Sequence, residues 1–256
     1  KYYPHSKTVR QALSDLLGAE HILYAPGCGV KLPIEGGIAD AVAVAHKADV
    51  VIAVVGGQES MRSVDATCGE NKDNTNLNLE APQRELMEAL FATGKPVVTV
   101  LVDGRPLAIT EADRQSSAVL YAWLPGEFGG EAIANVLTGK VNPSGKMPVT
   151  VLRHAGQIPM RYDLQPLFDG PTHMAEYLDG QSNTPLYPFG HGLPSLPTAI
   201  CGLHLSLLVE RLWKLPSGCK ISAAFPVRKL RRSIIGIAAP PWFVPCGSLR
   251  RSHGSV

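Results

Sequence analysis

The residues best suited to chemistry stand in one stretch. Between Gln58 and Asn78 the chain shows neither helical nor strand periodicity, and that stretch carries Glu59, Asp65, Glu70 and Asp73, with Lys72 between the last two. A loop of this length inside a compact domain is usually functional or disordered. Carboxylates on such a loop serve solvation in most proteins. The chemical alternative is a carboxylic acid held ready to protonate a leaving group. Competing chemistries lack their signatures. No strand is followed by G-x-G-x-x-G, and neither G-x-x-x-x-G-K-[ST] nor the nucleophile elbow G-x-S-x-G occurs. The five cysteines include no C-x-x-C pair, so neither a metal site nor a cofactor is expected.

The elements that must position this loop are legible from periodicity. Val9, Leu13, Leu16 and Leu17 predict an amphipathic helix over 6–18, ending at Gly18. Residues 21–25 form a short strand stopped by Pro26-Gly27, and 34–48 a helix with Ile38, Ala41, Val42 and Ala45 on one face. Residues 50–55 are continuously apolar and mostly β-branched, which marks a central parallel strand buried on both faces. A helix over 82–93, with Pro82 near its start and Gly94 past its end, leads to a second central strand at 97–102. A weaker strand at 118–123 and a short helix at 129–138 follow. This alternation predicts an α/β layered sandwich with a mostly parallel sheet, spanning residues 6–160. Such sheets place ligands at the carboxyl ends of their strands, here 56–73, 103–105 and 125–127. Residues 163–185 are polar and aperiodic, a long surface excursion.

Bulk composition adds a division. Residues 1–200 carry 15 Lys/Arg against 21 Asp/Glu, a balance of −6, whereas residues 201–256 carry 9 against Glu210 alone, a balance of +8. The basic run Arg228-Lys229-Leu230-Arg231-Arg232 has no interleaved aromatics and no recognition fold around it, so no nucleic-acid partner is expected. No apolar run reaches the length of a membrane span, so no membrane partner is expected either. Residues 206–256 are Leu-, Arg- and Pro-rich without a stable period, a texture that a shifted reading frame produces. They are expected to lack a cooperative core.

The motifs, taken in order, resemble glycoside hydrolase family 3. Val54-Val55-Gly56-Gly57, then 69–79 and Gln83, resemble the family's variable-loop signature. Gly94 to Leu101 and Gly104-Arg105-Pro106 resemble the following strand and turn. Ala122-Trp123-Leu124-Pro125-Gly126-Glu127-Phe128-Gly129-Gly130-Glu131-Ala132-Ile133-Ala134 resembles "W-x-P-G-x-x-G-G-x-A-I-A". Asn142-Pro143-Ser144-Gly145-Lys146-Met147-Pro148-Val149-Thr150 resembles "N-P-S-G-K-L-P-V-T". Pro185-Leu186-Tyr187-Pro188-Phe189-Gly190-His191-Gly192-Leu193 resembles the closing "P-L-Y-P-F-G-x-G-L" motif. The likeness covers Thr8 to Leu193 and is nearest the bacterial β-glucosidase and β-xylosidase branch. It departs at Gly57, where many members have glutamate, at Asn74, where arginine is usual, at Glu80-Ala81, which replaces proline-glycine, and after Leu193.

The resemblance implies an N-terminal barrel bearing an aspartate nucleophile, followed by the α/β domain that lends the acid/base carboxylate from its loop. Residues 1–193 would be that α/β domain, with 194–256 standing in place of a fibronectin-like domain, and no residue here would be the nucleophile. The implied reaction is retaining, exo-acting hydrolysis of a β-linked glucoside or xyloside. Glu70 is the first acid/base candidate, with Glu59 and Asp73 in reserve. An inert or carbohydrate-interacting fragment is the alternative. The family resemblance points to the periplasm or a secreted location, and the cytoplasm is compatible. Trp123 is more readily a packed strand-end aromatic than a sugar platform, and His191 is no metal ligand on this reading. Cys28 and Cys68 both follow strand ends.

Overall fold

The computed structural model describes residues 5–59, 66–69, 74–163, 177 and 182–192, and the backbone of 234–237. Five α-helices and five strands are described: α1 (Val9–Leu17), β1 (Ile22–Tyr24), α2 (Gly37–His46), β2 (Val50–Gly56), α3 (Ala81–Ala92), β3 (Val97–Val102), α4 (Thr110–Gln115), β4 (Ala118–Tyr121), α5 (Gly129–Leu137) and β5 (Ile234–Ile237). The strands form one parallel sheet in the order β1-β5-β2-β3-β4. The fold is the α/β sandwich that the periodicity predicts, and the segments expected as central strands occupy adjacent interior positions.

The uninterrupted apolar runs have a direct cause. Successive strand residues point to opposite faces, and both faces of this sheet are covered. Val51, Ala53 and Val55 of β2, with Val97 and Leu101 of β3, pack into a cluster with Ala41 and Ala45 of α2 and Leu86, Met87 and Leu90 of α3. Ile52, Val54, Val100 and Val102 point the other way, onto Ala12 and Leu13 of α1 and Ile133 and Ala134 of α5. A half-exposed sheet would have alternated apolar with polar. Within the inward run Thr99 is fully buried, and its hydroxyl is satisfied by the Ser116 hydroxyl at 2.7 Å.

Local chemistry sets the helix ends. Thr8 closes a capping box on α1: its Oγ1 accepts from the Gln11 N–H at 3.2 Å, and the Gln11 amide oxygen accepts from the Thr8 N–H at 2.9 Å. Lys7 then bridges Asp15 at 2.9 Å and Glu131 at 3.0 Å, joining α1 to α5 across a solvated surface. The structure adds two elements to those read from the sequence. Helix α4 is a short stretch of mixed polarity, too brief for its period to register. Strand β5 comes from the basic tail, in which the sequence shows no strand period. Three isoleucines among four residues, Ile234, Ile235 and Ile237, suffice for a strand even where the surrounding 206–256 shows no period. The other residues of 194–256 lie outside the described residues, as does most of the 163–185 excursion.

Candidate functional site: the loop root at the carboxyl end of the sheet

The long loop leaves the sheet at the end of β2, and its departure is built from backbone that only glycine permits. Gly56 has φ 147°, and a Cβ there would lie 2.0 Å from the Val102 carbonyl oxygen of β3. At Gly57 a Cβ would lie 2.3 Å from the Asp103 Oδ2 and 2.4 Å from the Thr67 Oγ1. The Gly57 N–H donates to the Val102 carbonyl at 3.1 Å, carrying the ladder one residue beyond the strand.

The amide of Gln83, on the first turn of α3, clamps the strand end. Its Oε1 accepts from the Gly56 N–H at 2.8 Å, and its Nε2 donates to the carbonyls of Gly56 and Val30, each at 2.7 Å. A primary amide offers a donor and an acceptor in the spacing of a peptide group, so one buried side chain satisfies three backbone groups. Glutamine in the loop signature therefore has a structural office here.

The loop also closes on itself. The Thr67 N–H donates to the Gln58 carbonyl at 2.9 Å, and the Gln58 N–H donates to the Thr67 Oγ1 at 3.0 Å. Glu59 and Cys68 form the adjoining bridge, and the Asn74 amide donates to the Thr67 carbonyl. Where the loop ends, the Ala108 N–H donates to the Leu77 carbonyl at 2.7 Å and Leu79 is buried. Both ends of the loop are thus fixed at the carboxyl edge of the sheet. Of the three carboxylates singled out for proton transfer, Glu59 is described and solvent-exposed. Glu70 and Asp73 lie outside the described residues, as does Asp65.

Asp103, which sequence reading placed only in a strand-end turn, is the buried acid of this root. Its Oδ1 accepts from the Arg105 N–H at 2.8 Å and lies 3.6 Å from the Arg105 Nε. Its Oδ2, beside Gly57 and Thr67, has no hydrogen-bond partner. Burial pushes this carboxyl above the ordinary 3.8, against the opposing pull of the Arg105 and Gly104 N–H groups and the Arg105 charge. The same environment raises the Cys68 thiol, first by burial and then by the Asp103 charge. Cys28 is pushed up to about 11, chiefly by burial. Both cysteines are free thiols. Asp103 carried no periodic or motif signal; only the neighbouring strand end marked it.

The other motif residues have structural places. Trp123, at φ 52°, packs against Tyr121 with ring centroids 5.9 Å apart, and Tyr121 meets Tyr187 edge-on at 5.6 Å. The Tyr187 hydroxyl contacts the Asp113 carboxylate, and His191 stacks on the Tyr187 ring at 4.9 Å. The two late motifs pair with each other. Val151 bridges Tyr187 in antiparallel fashion, and the Met147 N–H donates to the His191 carbonyl at 2.7 Å. No group of three or more His, Cys, Asp or Glu able to hold a metal ion occurs among the described residues. No described helix is long and apolar enough to cross a membrane.

A doubly covered parallel sheet with a long acidic loop rooted at its carboxyl edge defines an α/β domain of the kind that hosts a ligand or catalytic site there. Comparison with known proteins identifies which one. Residues 2–194 match the model of the glycosyl hydrolase family 3 C-terminal domain, and the chain belongs to that family. It is 43% identical over 177 residues to a periplasmic beta-glucosidase of Salmonella typhimurium, covering 66% of this chain and 22% of that protein. It is 38% identical over 192 residues to a beta-xylosidase of Formosa agariphila, covering 74% and 25%. Among solved structures, a b-glucosidase of Erythrobacter marinus superposes with TM-score 0.60 at 39% identity, covering 72% of this chain and 27% of that one. The chain spans about a quarter of the length of these relatives.

Proposed function

We propose that residues 1–193 supply the acid/base loop of a retaining, exo-acting β-glycosidase, a β-glucosidase or β-xylosidase, and that a barrel domain supplies the nucleophile. The observation carrying this reading is the placement of the loop: Gln83, Thr67 and the glycine pair tie a carboxylate-bearing segment to the carboxyl edge of a rigid sheet. Retaining hydrolysis needs two carboxyl groups about 5 Å apart, one attacking the anomeric carbon while the other protonates the leaving oxygen. Here the second would come from the loop, with Glu70 the first choice and Glu59 and Asp73 in reserve. The kinship to named β-glucosidases and β-xylosidases supports the substrate class. The periplasmic relative supports a location outside the cytoplasm. Residues 194–256 take the place of a further domain without providing sugar chemistry.

The test is reconstitution. The 256-residue chain alone should not hydrolyse an aryl β-glucoside or β-xyloside at an enzymatic rate, because an acid without its nucleophile in a shared, oriented site gives only part of the catalysis. Joining residues 1–193 to a family 3 barrel should give turnover. In that fusion Glu70→Gln should slow substrates with poor leaving groups most, since these need protonation. Equal rates for Glu70→Gln and its parent across a leaving-group series would move the assignment to Glu59 or Asp73. Robust hydrolysis by the chain alone would overturn the two-domain reading.

A further inference from the structure

Gly57 and Asp103 stand opposite one another where the ladder between β2 and β3 ends. The last registered pair is Gly56 with Val102, and the Gly57 N–H still reaches the Val102 carbonyl. Gly57 and Asp103 are the next residues of the two strands. The Asp103 Oδ2 and the Thr67 Oγ1 share the space in which a Gly57 side chain would begin, 2.3 and 2.4 Å from its Cβ position. Gly57 has no left-handed φ, so space and not backbone conformation demands glycine here. Thr67 belongs to the 66–69 limb, which folds back on the outgoing 57–59 limb and leads directly into Glu70, the first-choice acid.

The two oxygens are provided for unequally. The Asp103 Oδ1 accepts the Arg105 N–H, while Oδ2 is buried without a hydrogen-bond partner. The Thr67 Oγ1 accepts the Gln58 N–H at 3.0 Å and is placed to donate its own hydrogen to the Gln58 carbonyl at 3.5 Å. A hydroxyl oxygen has two acceptor lone pairs, so one remains. A bond between these oxygens needs one more hydrogen, and a neutral carboxyl carries it. Burial favours that neutral form at Asp103. The charged and titratable neighbours supply no competing donor to Oδ2. The Arg105 Nε lies 3.6 Å from Oδ1, the other oxygen. The Cys68 thiol, on the loop, is pushed up and stays neutral, and Glu59, which bridges Cys68, is exposed.

We propose that Asp103 is a positioning residue for the acid loop: its carboxyl donates from Oδ2 to the Thr67 Oγ1 and so fastens the 66–69 limb to the end of β3. Gln83 holds the outgoing strand end, and Asp103 holds the limb that leads into Glu70. A raised pKa gives a contribution that is fully present at low pH and is lost as pH rises through the folded value. Once ionised, Oδ2 faces the Thr67 oxygen with no hydrogen between them, and the limb loosens. The loop is thereby held best where a carboxylic acid on it also keeps its proton. The use of this bond rests on reading the loop as the acid/base loop. The bond itself is tested without sugar chemistry, so the two can fail separately.

The test is hydrogen exchange on the full chain between about pH 4 and about pH 8, with rates corrected for the intrinsic effect of pH. The Thr67 and Gln58 amides report the limb, since each is bonded across it. The Gly56 amide, held by Gln83, is the control at the same strand end. In the parent, protection at Thr67 and Gln58 should fall about tenfold as pH rises, while protection at Gly56 stays constant. Asp103→Asn should abolish the fall and keep both amides protected throughout, because the Arg105 N–H orients the amide oxygen and leaves its NH2 towards Thr67. Asp103→Ala should leave both poorly protected at either pH, and Thr67→Val should remove the pH dependence at the residue 67 amide. Should either of these fail to fold, the parent and Asp103→Asn decide. Protection in the parent that ignores pH or falls equally at Gly56, or a pH dependence that persists in Asp103→Asn, overturns the inference.

Discussion

Gln83 and Asp103 flank the same loop root, and both are almost wholly buried, 3% and 4% exposed, yet the fold treats them differently. Gln83 has partners on both ends of its amide and gives the backbone three bonds. Asp103 has one oxygen paired and the other facing a glycine and a threonine without a bond. A neutral group with matched partners is cheap to bury and fixes geometry, whereas a carboxylate with an idle oxygen is costly to bury in its charged form. One side of the root is therefore a clamp whose strength should not vary with pH, and the other a site whose charge state the fold disfavours.

Four substitutions can break or sharpen this contrast, each read as the midpoint of denaturant unfolding of the full chain. Gly56→Ala should cost most, about 4 kcal/mol, because its Cβ would meet the main chain of β3, which cannot move without disrupting the sheet. Gln83→Leu should cost about 3 kcal/mol by leaving the Gly56 N–H and two carbonyls unpaired in the interior. Gly57→Ala should cost less, about 2 kcal/mol, since the crowding atoms are side-chain oxygens of Asp103 and Thr67. A cost for Gly57→Ala equal to that of Gly56→Ala would show that the Asp103 side is as rigid as the clamp.

Asp103→Asn should have the smallest effect and the opposite sign, a gain of about 1 kcal/mol at neutral pH. The sign follows from linkage. The folded pKa of Asp103 is raised above the unfolded 3.8, so the fold favours the protonated acid. That contribution is fully present below the unfolded value and is lost as pH rises through the folded one. The asparagine variant, unable to ionise, should match the parent below about pH 4 and exceed it above the raised pKa. A stability difference independent of pH would show that Asp103 acts through shape alone. Gln83→Leu should show no such window.

Much of the scaffold was legible without coordinates. The apolar runs at 50–55 and 97–102 announced strands buried on both faces, and Leu13, Ala41 and Ala45 announced the covering helix faces. Such signals survive because a strand's or helix's period is local and burial acts on every residue of it. The ordered motifs also identified the loop, and Gln83 within it. Asp103 was hidden because a single carboxylate after a strand looks the same whether it faces water or the Thr67 hydroxyl. Helix α4 was hidden by brevity, and β5 by a tail whose composition argued against any element.

Sequence by itself determined the α/β class, the strands that line the core, the family and the loop that carries the candidate acids, because each is written in periodicity or in contiguous motif residues. Tertiary structure alone decided that α1 and α2 lie on opposite faces, that β1 and β2 stand one strand apart with Ile234–Ile237 between them, and that Asp103 closes on Gly57 and Thr67. Those are relations between residues distant in the chain, and no local pattern encodes which distant partner will occupy a given gap.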